Sequence, residues 1–65
     1  MTMAPHQERV VTEKRELDEK LGKLETFLSS ELYGQLDTAE RGRLRMQHHA
    51  MSVYSMVLGQ RITAF

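Results

Sequence analysis

Tyr54 and Arg61 stand seven residues apart in "YSMVLGQRITAF". On a helix that is about two turns, so the two side chains share nearly one face. Tyrosine offers a flat stacking surface and a hydroxyl. Arginine offers a planar fork of N–H donors that fits phosphate oxygens. From Met46 to Gln60 there is no Asp, Glu, Lys or Arg, so Arg61 is a lone charge closing an uncharged stretch. The competing reading is an interface tyrosine and an arginine that snorkels to water. Upstream, Lys20 and Lys23 can complete a positive pocket against a partner chain. Their plainer reading is as surface ion pairs, Glu16–Lys20 and Glu19–Lys23, with the acid first. Gly22 lies between these lysines and weakens a helix by about 1 kcal/mol against alanine. It reads as a tolerated glycine or as a point of close approach by a backbone or ligand.

Other chemistry finds less support. His48 and His49 are adjacent, about 100° apart on a helix, and cannot chelate one ion from one chain. Neither an HExxH nor an ExxH motif accompanies them, and His6 could join only through assembly. No metal and no cofactor is therefore expected. Ser29, Ser30, Ser52 and Ser55 have no base at nucleophile spacing, so no catalytic residue is assigned. "RGRLR" places Arg41, Arg43 and Arg45 two apart. On a helix they spread over about 200°, and only Arg41 and Arg45 share an edge. They read as solvated arginines or as a phosphate-facing pair. Met46, Met51 and Met56 suit packing at an irregular interface.

The elements that must carry these residues are helices. Pro5 fits the first turn of a helix, where its missing N–H has no partner to lose. Val10, Leu17, Leu21, Leu24 and Leu28 follow at spacings of seven, four, three and four, a narrow apolar stripe widened by Phe27. "SSELYGQLD" interrupts the pattern, although "SELYGQL" allows a short turn with Leu32 and Leu36 capping the seam. Asp37 with Glu40 three residues later has the form of a capping box. The second helix then bears two stripes. Leu44, Met51, Leu58, Ile62 and Phe65 form one; Met46, Ala50, Val53, Tyr54 and Val57 form the other. The expectation is one all-α unit over residues 1–65: an antiparallel helical hairpin with helices over 5–29 and 38–64 and a break at 30–37.

A helix apolar around much of its girth needs more than one partner. The hairpin is therefore expected to self-associate into an oligomeric helical assembly with the second helix at the centre. Size agrees: 65 residues without cysteine bury a modest core and have no disulfide to reinforce it. Nine basic and nine acidic residues balance, which disfavours a DNA-binding role. No apolar run is long enough to span a membrane, and "MTMAPHQER" lacks the apolar core of a signal peptide. A soluble, intracellular protein is expected.

"PHQERVVTEKRELDEKLGKLETFL", a short break, and "LRMQHHAMSVYSMVLGQRITAF" resemble a family of short helical-hairpin proteins encoded by phages and prophages. The family includes the type 2 anti-CBASS proteins and the hairpin part of some anti-Thoeris proteins. The resemblance runs from about Pro5 to Phe65. It implies a non-catalytic sponge in the host cytoplasm that sequesters cyclic di- or trinucleotide immune signals. It also implies interlocked homo-oligomers, typically hexamers, with pockets between chains. Lys20 matches a family lysine on the first helix, and Arg61 a family arginine near the C-terminal end. The family's N-terminal aromatic has no counterpart in "APHQER". The alternative function is an oligomeric scaffold or adaptor that binds another protein. A third reading is a nucleic-acid accessory protein using "RGRLR".

Overall fold

A computed structural model describes residues 2–65. Ala4 is extended, and its N–H donates to Gln7 Oε1 at 2.9 Å, one half of a capping box. With Pro5 at the first helical position and Glu8 in the first turn, α1 runs Pro5–Leu28. Ser30 both ends this helix and starts the next. Its hydroxyl donates to the Phe27 carbonyl at 2.6 Å and accepts from the Tyr33 N–H at 3.3 Å. The expected break therefore contains a short helix, α2, Glu31–Gln35. Leu36 and Asp37 are extended and reverse the chain. Asp37 accepts from the Glu40 N–H at 2.7 Å and caps α3, Thr38–Thr63. The capping box itself is not closed, because the Glu40 carboxylate turns to Arg43 at 2.7 Å. No strand occurs among the described residues.

Ser30 also sets the roll of α2. Leu32 was expected to cap the seam, yet it is 62% exposed, and Tyr33 is the buried residue. The Tyr33 ring meets Phe27 edge-on, with centroids 6.3 Å apart, and its hydroxyl donates to the Arg41 carbonyl at 3.4 Å. Tyr33 thus plugs the closed end of the hairpin.

Contacts between α1 and α3 follow an antiparallel register. Lys14 and Asp18 reach Ser55, and Glu25 lies 3.7 Å from His48. The first stripe of α3 faces α1: Leu58 is fully buried and Leu44, Met51 and Ile62 are half-buried. Phe65 lies past the helix and stays exposed. The second stripe, Met46, Ala50, Val53, Tyr54 and Val57, is exposed throughout.

A polar brace crosses this interface. Lys14 Nζ donates to Asp18 Oδ2 at 3.0 Å and to Ser55 Oγ at 2.8 Å. Ser55 Oγ in turn donates to Asp18 Oδ1. Ser55 is buried, so its hydroxyl needs these partners. Gly59 packs beside the lysine stem, and a Cβ there would make an ordinary contact with Lys14 Cε at 3.6 Å.

The Ser55 hydrogen bond, then Lys14, hold the Asp18 carboxyl below its ordinary pKa of 3.8. A lowered folded pKa contributes stability above the unfolded value and loses it as pH falls through the folded one. The melting temperature is therefore expected to fall more steeply below about pH 4 in the parent chain than in Asp18→Asn. Parallel acid titrations of thermal melts check this; equal slopes would remove Asp18 from the acid response.

The two stripes also predict different defects. Leu58→Glu places an unpaired charge inside the hairpin and is expected to abolish the helical circular dichroism signal. Val57→Glu lies on the exposed stripe, so it should keep the helices and shift sedimentation to smaller species. A parent chain that sediments as a monomer at micromolar concentration would defeat the expectation of self-association.

Candidate functional site

The brace decides which flank of the hairpin each candidate occupies. On α1 the leucine seam separates two flanks. Asp18 and Glu25 lie on one, and Gly22, four residues from Asp18 and three from Glu25, lies with them. Lys20 lies on the opposite flank, with Lys23 further round towards the back of the helix. On α3, Ser55 and His48 face the Asp18–Glu25 flank. Tyr54 and Arg61, four before and three after Leu58, border the buried stripe on its other side. In an antiparallel pair the remaining flanks meet. Lys20, Tyr54 and Arg61 therefore share one side of the molecule, and Gly22 does not join them.

Their heights differ. Ser55 pairs with Asp18 and His48 with Glu25, so Lys20 stands level with the Val53–Tyr54 turn. Arg61 lies two turns along, about 10 Å from Tyr54 in axial distance. All three are exposed, Tyr54 at 43%. None of them makes a side-chain hydrogen bond or salt bridge to a described residue. The expected pairs Glu16–Lys20 and Glu19–Lys23 are not formed. The exposed ion pair formed within α1 is Lys14–Asp18, which Ser55 supports. On the outer faces an ion pair gains little against side-chain entropy, and the lysines extend into water.

The polar brace was missed by sequence reasoning. Its signal was present: Ser55 is four residues from Met51 and three before Leu58, a hydroxyl placed on the inward stripe. Lys14 and Asp18 are four apart and next to the opposing seam. Beside the brace, Val11, Lys14, Arg15, Asp18, Glu19 and Ile62 line a shallow cleft of about 500 Å³. It contains none of the candidate residues. The ammonium donates to the serine and the serine donates to the carboxylate, a pattern that ties helices together. Among the described residues, no group of three or more histidines and carboxylates converges. His48 is half-buried against Glu25, and His49 is exposed.

The family model described as Sequestin matches residues 4–64. The chain belongs to the Sequestin family. The match takes in both long helices and the α2 turn between them. The helical-hairpin sponge resemblance fits this family, and the name Sequestin denotes sequestration, a binding role. Searches of curated proteins and of solved structures gave no match. No helix among the described residues is long and apolar enough to cross a membrane.

Gly22 separates two outcomes. A Cβ there would meet nothing within 4 Å in the single chain. Gly22→Ala is therefore expected to stabilise the hairpin by about 0.5–1 kcal/mol, as alanine does elsewhere in helix interiors. Denaturant unfolding checks this. A destabilised variant would mean that another chain approaches the backbone at this point.

Proposed function

We propose that this Sequestin-family chain is a phage counter-defence protein that sequesters cyclic oligonucleotide immune signals without turning them over. The ligands are cyclic di- or trinucleotides, held in pockets between subunits of a homo-oligomer in the host cytoplasm. A hexamer is the assembly favoured by the sponge resemblance. The observation that carries the reading is the shared flank of Lys20, Tyr54 and Arg61. A cation, an aromatic face and a guanidinium fork stand beside an exposed apolar stripe with no side-chain partner among the described residues.

The pocket needs more than one chain. Arg61 is too far along α3 to close on Lys20 around one phosphate, and α3 offers one guanidinium at that end. Packing Met46, Val53 and Val57 against a second copy would remove water from the flank. A charge so enclosed needs a counter-charge. A cyclic nucleotide's phosphates supply it, with Tyr54 available to pack on a base. Lys20 contributes in the same pocket or in a second one, with Lys23 and the Gly22 backbone as outer contacts through a neighbouring chain.

The exposed stripe also supports the alternative, an oligomeric adaptor that docks another protein. Calorimetry against a panel of cyclic di- and trinucleotides separates the two, because an adaptor binds none. Bound nucleotide released by heat should be intact. Arg61→Ala is expected to leave the oligomer assembled and weaken binding by about tenfold or more, as loss of one charge-assisted contact worth roughly 1.5–3 kcal/mol implies. Arg61→Lys should restore little, because an ammonium lacks the bidentate fork. An Arg61→Ala variant with unchanged affinity for every ligand would defeat the assignment, and one that only dissociates would make Arg61 a structural residue.

A further inference from the structure

The "RGRLR" cluster has no part in the nucleotide reading, and it lies at the other end of α3. From Arg41 to Arg61 is about 30 Å at 1.5 Å per residue. Around it Tyr33, Thr38, Arg41, Gly42 and Arg45 line a cleft of about 370 Å³. The Arg45 guanidinium lies over the Tyr33 ring, 5.4 Å from its centre. Arg41 Nη2 donates to Thr38 Oγ1 at 3.3 Å. Arg41 Nε is buried without a hydrogen-bond partner, an unfavourable state for a charged donor.

The nearby acids are committed elsewhere. Glu40 pairs with Arg43, and Asp37 caps the helix. Among the described residues neither Arg41 nor Arg45 is in a salt bridge. Arg41 also sits near the start of α3, the end of a helix dipole where cations are disfavoured and anions favoured. Gly42 leaves the cleft open, since a Cβ there would meet nothing within 4 Å.

We propose that this cleft binds a dianionic phosphate group, free or as a nucleotide monophosphate, between the guanidinium groups of Arg41 and Arg45. Two cations on one helix edge match two negative charges, and the Thr38 hydroxyl adds a hydrogen-bonding group. The site reads the phosphate and ignores the base. Tyr33 is buried, with Arg45 over its ring and Phe27 packed nearly perpendicular to it, so no base can stack on it. The cleft is complete within one chain, unlike the flank that carries Arg61.

The test is nuclear magnetic resonance on the full chain. Sodium phosphate, and separately adenosine monophosphate, is titrated against sodium chloride at matched ionic strength. Saturable shifts are expected at the Arg41 Nε–H and the Gly42 amide with both phosphates. Equal affinities would show that the phosphate group alone is read, whereas markedly tighter adenosine monophosphate binding would overturn the claim that the base is ignored. Arg41→Gln combined with Arg45→Gln should weaken saturation at least tenfold. That double variant can loosen the closed end, so Gly42→Glu is the second test. It has room for its side chain, should keep the helical signal, and should block phosphate with its own carboxylate. Arg61→Ala should titrate as the parent does, which separates this site from the nucleotide pocket. Linear shifts equal to those in chloride would overturn the proposal. So would saturation that survives Gly42→Glu, or saturation lost in Arg61→Ala.

Discussion

The structure depends on a mismatch between the surface of α3 and the size of the hairpin. α3 carries two apolar stripes, and α1 covers one. The molecule measures 50 × 15 × 14 Å, one helix pair in cross-section, with no third layer to cover the other stripe. Leu58 reaches full burial and Val10 and Tyr33 come close, while Met46 remains 68% exposed. Apolar burial is the main favourable term in folding, and a chain this short has little of it within itself. The exposed stripe is thus continuous with the core in composition and differs only in having no partner.

The polar brace determines what that mismatch can be used for. A leucine at position 55 would continue the apolar pattern of the inward stripe, but it would leave the roll of the two helices to packing alone. The Ser55 hydroxyl instead requires Lys14 and Asp18 on one flank. Glu25 and His48 continue the same flank, in a contact that is an ion pair only when the histidine is protonated. Polar side chains are consumed there. The opposite flank keeps Lys20, Tyr54 and Arg61 without side-chain partners among the described residues, next to the apolar stripe. One hydroxyl with directional bonds therefore sorts the hairpin into a tied side and a free side.

The two-helix hairpin was legible because its signals are local and periodic. Pro5, the leucine spacing of α1 and the Asp37 cap each act within a few residues. The two stripes of α3 were legible too, since Leu44, Met51 and Leu58 repeat every seven residues, although which of them faces α1 was not. Leu32 and Tyr33 were exchanged because the roll of a five-residue helix is set by its cap, and the double role of Ser30 leaves no periodic trace. The brace escaped because one serine among apolar residues has no distinctive spacing. Its meaning depends on what the opposite helix places beside it. For the candidate site, residue types were readable but their grouping was not. Gly22 and Lys20 are two apart and fall on opposite flanks by helix geometry, but which residues of α3 join each of them only the contacts across the hairpin reveal.

Charge distribution links assembly to ligand choice. The chain carries nine basic and nine acidic residues, so it has no net field to gather anions. Attraction must come from local cations without local acids. At the closed end Arg41 and Arg45 meet that condition within one chain, because they stand one turn apart while Glu40 and Asp37 are engaged elsewhere. At the open end each chain brings a single Arg61. A phosphate there gains one fork from the α3 of one chain, and water competes for it on an exposed surface. Covering the apolar stripe with another copy removes that water and raises the number of forks together. On the reading proposed for the Arg61 flank, self-association and anion binding would be one coupled requirement, whereas the cleft proposed at the closed end would be free of it.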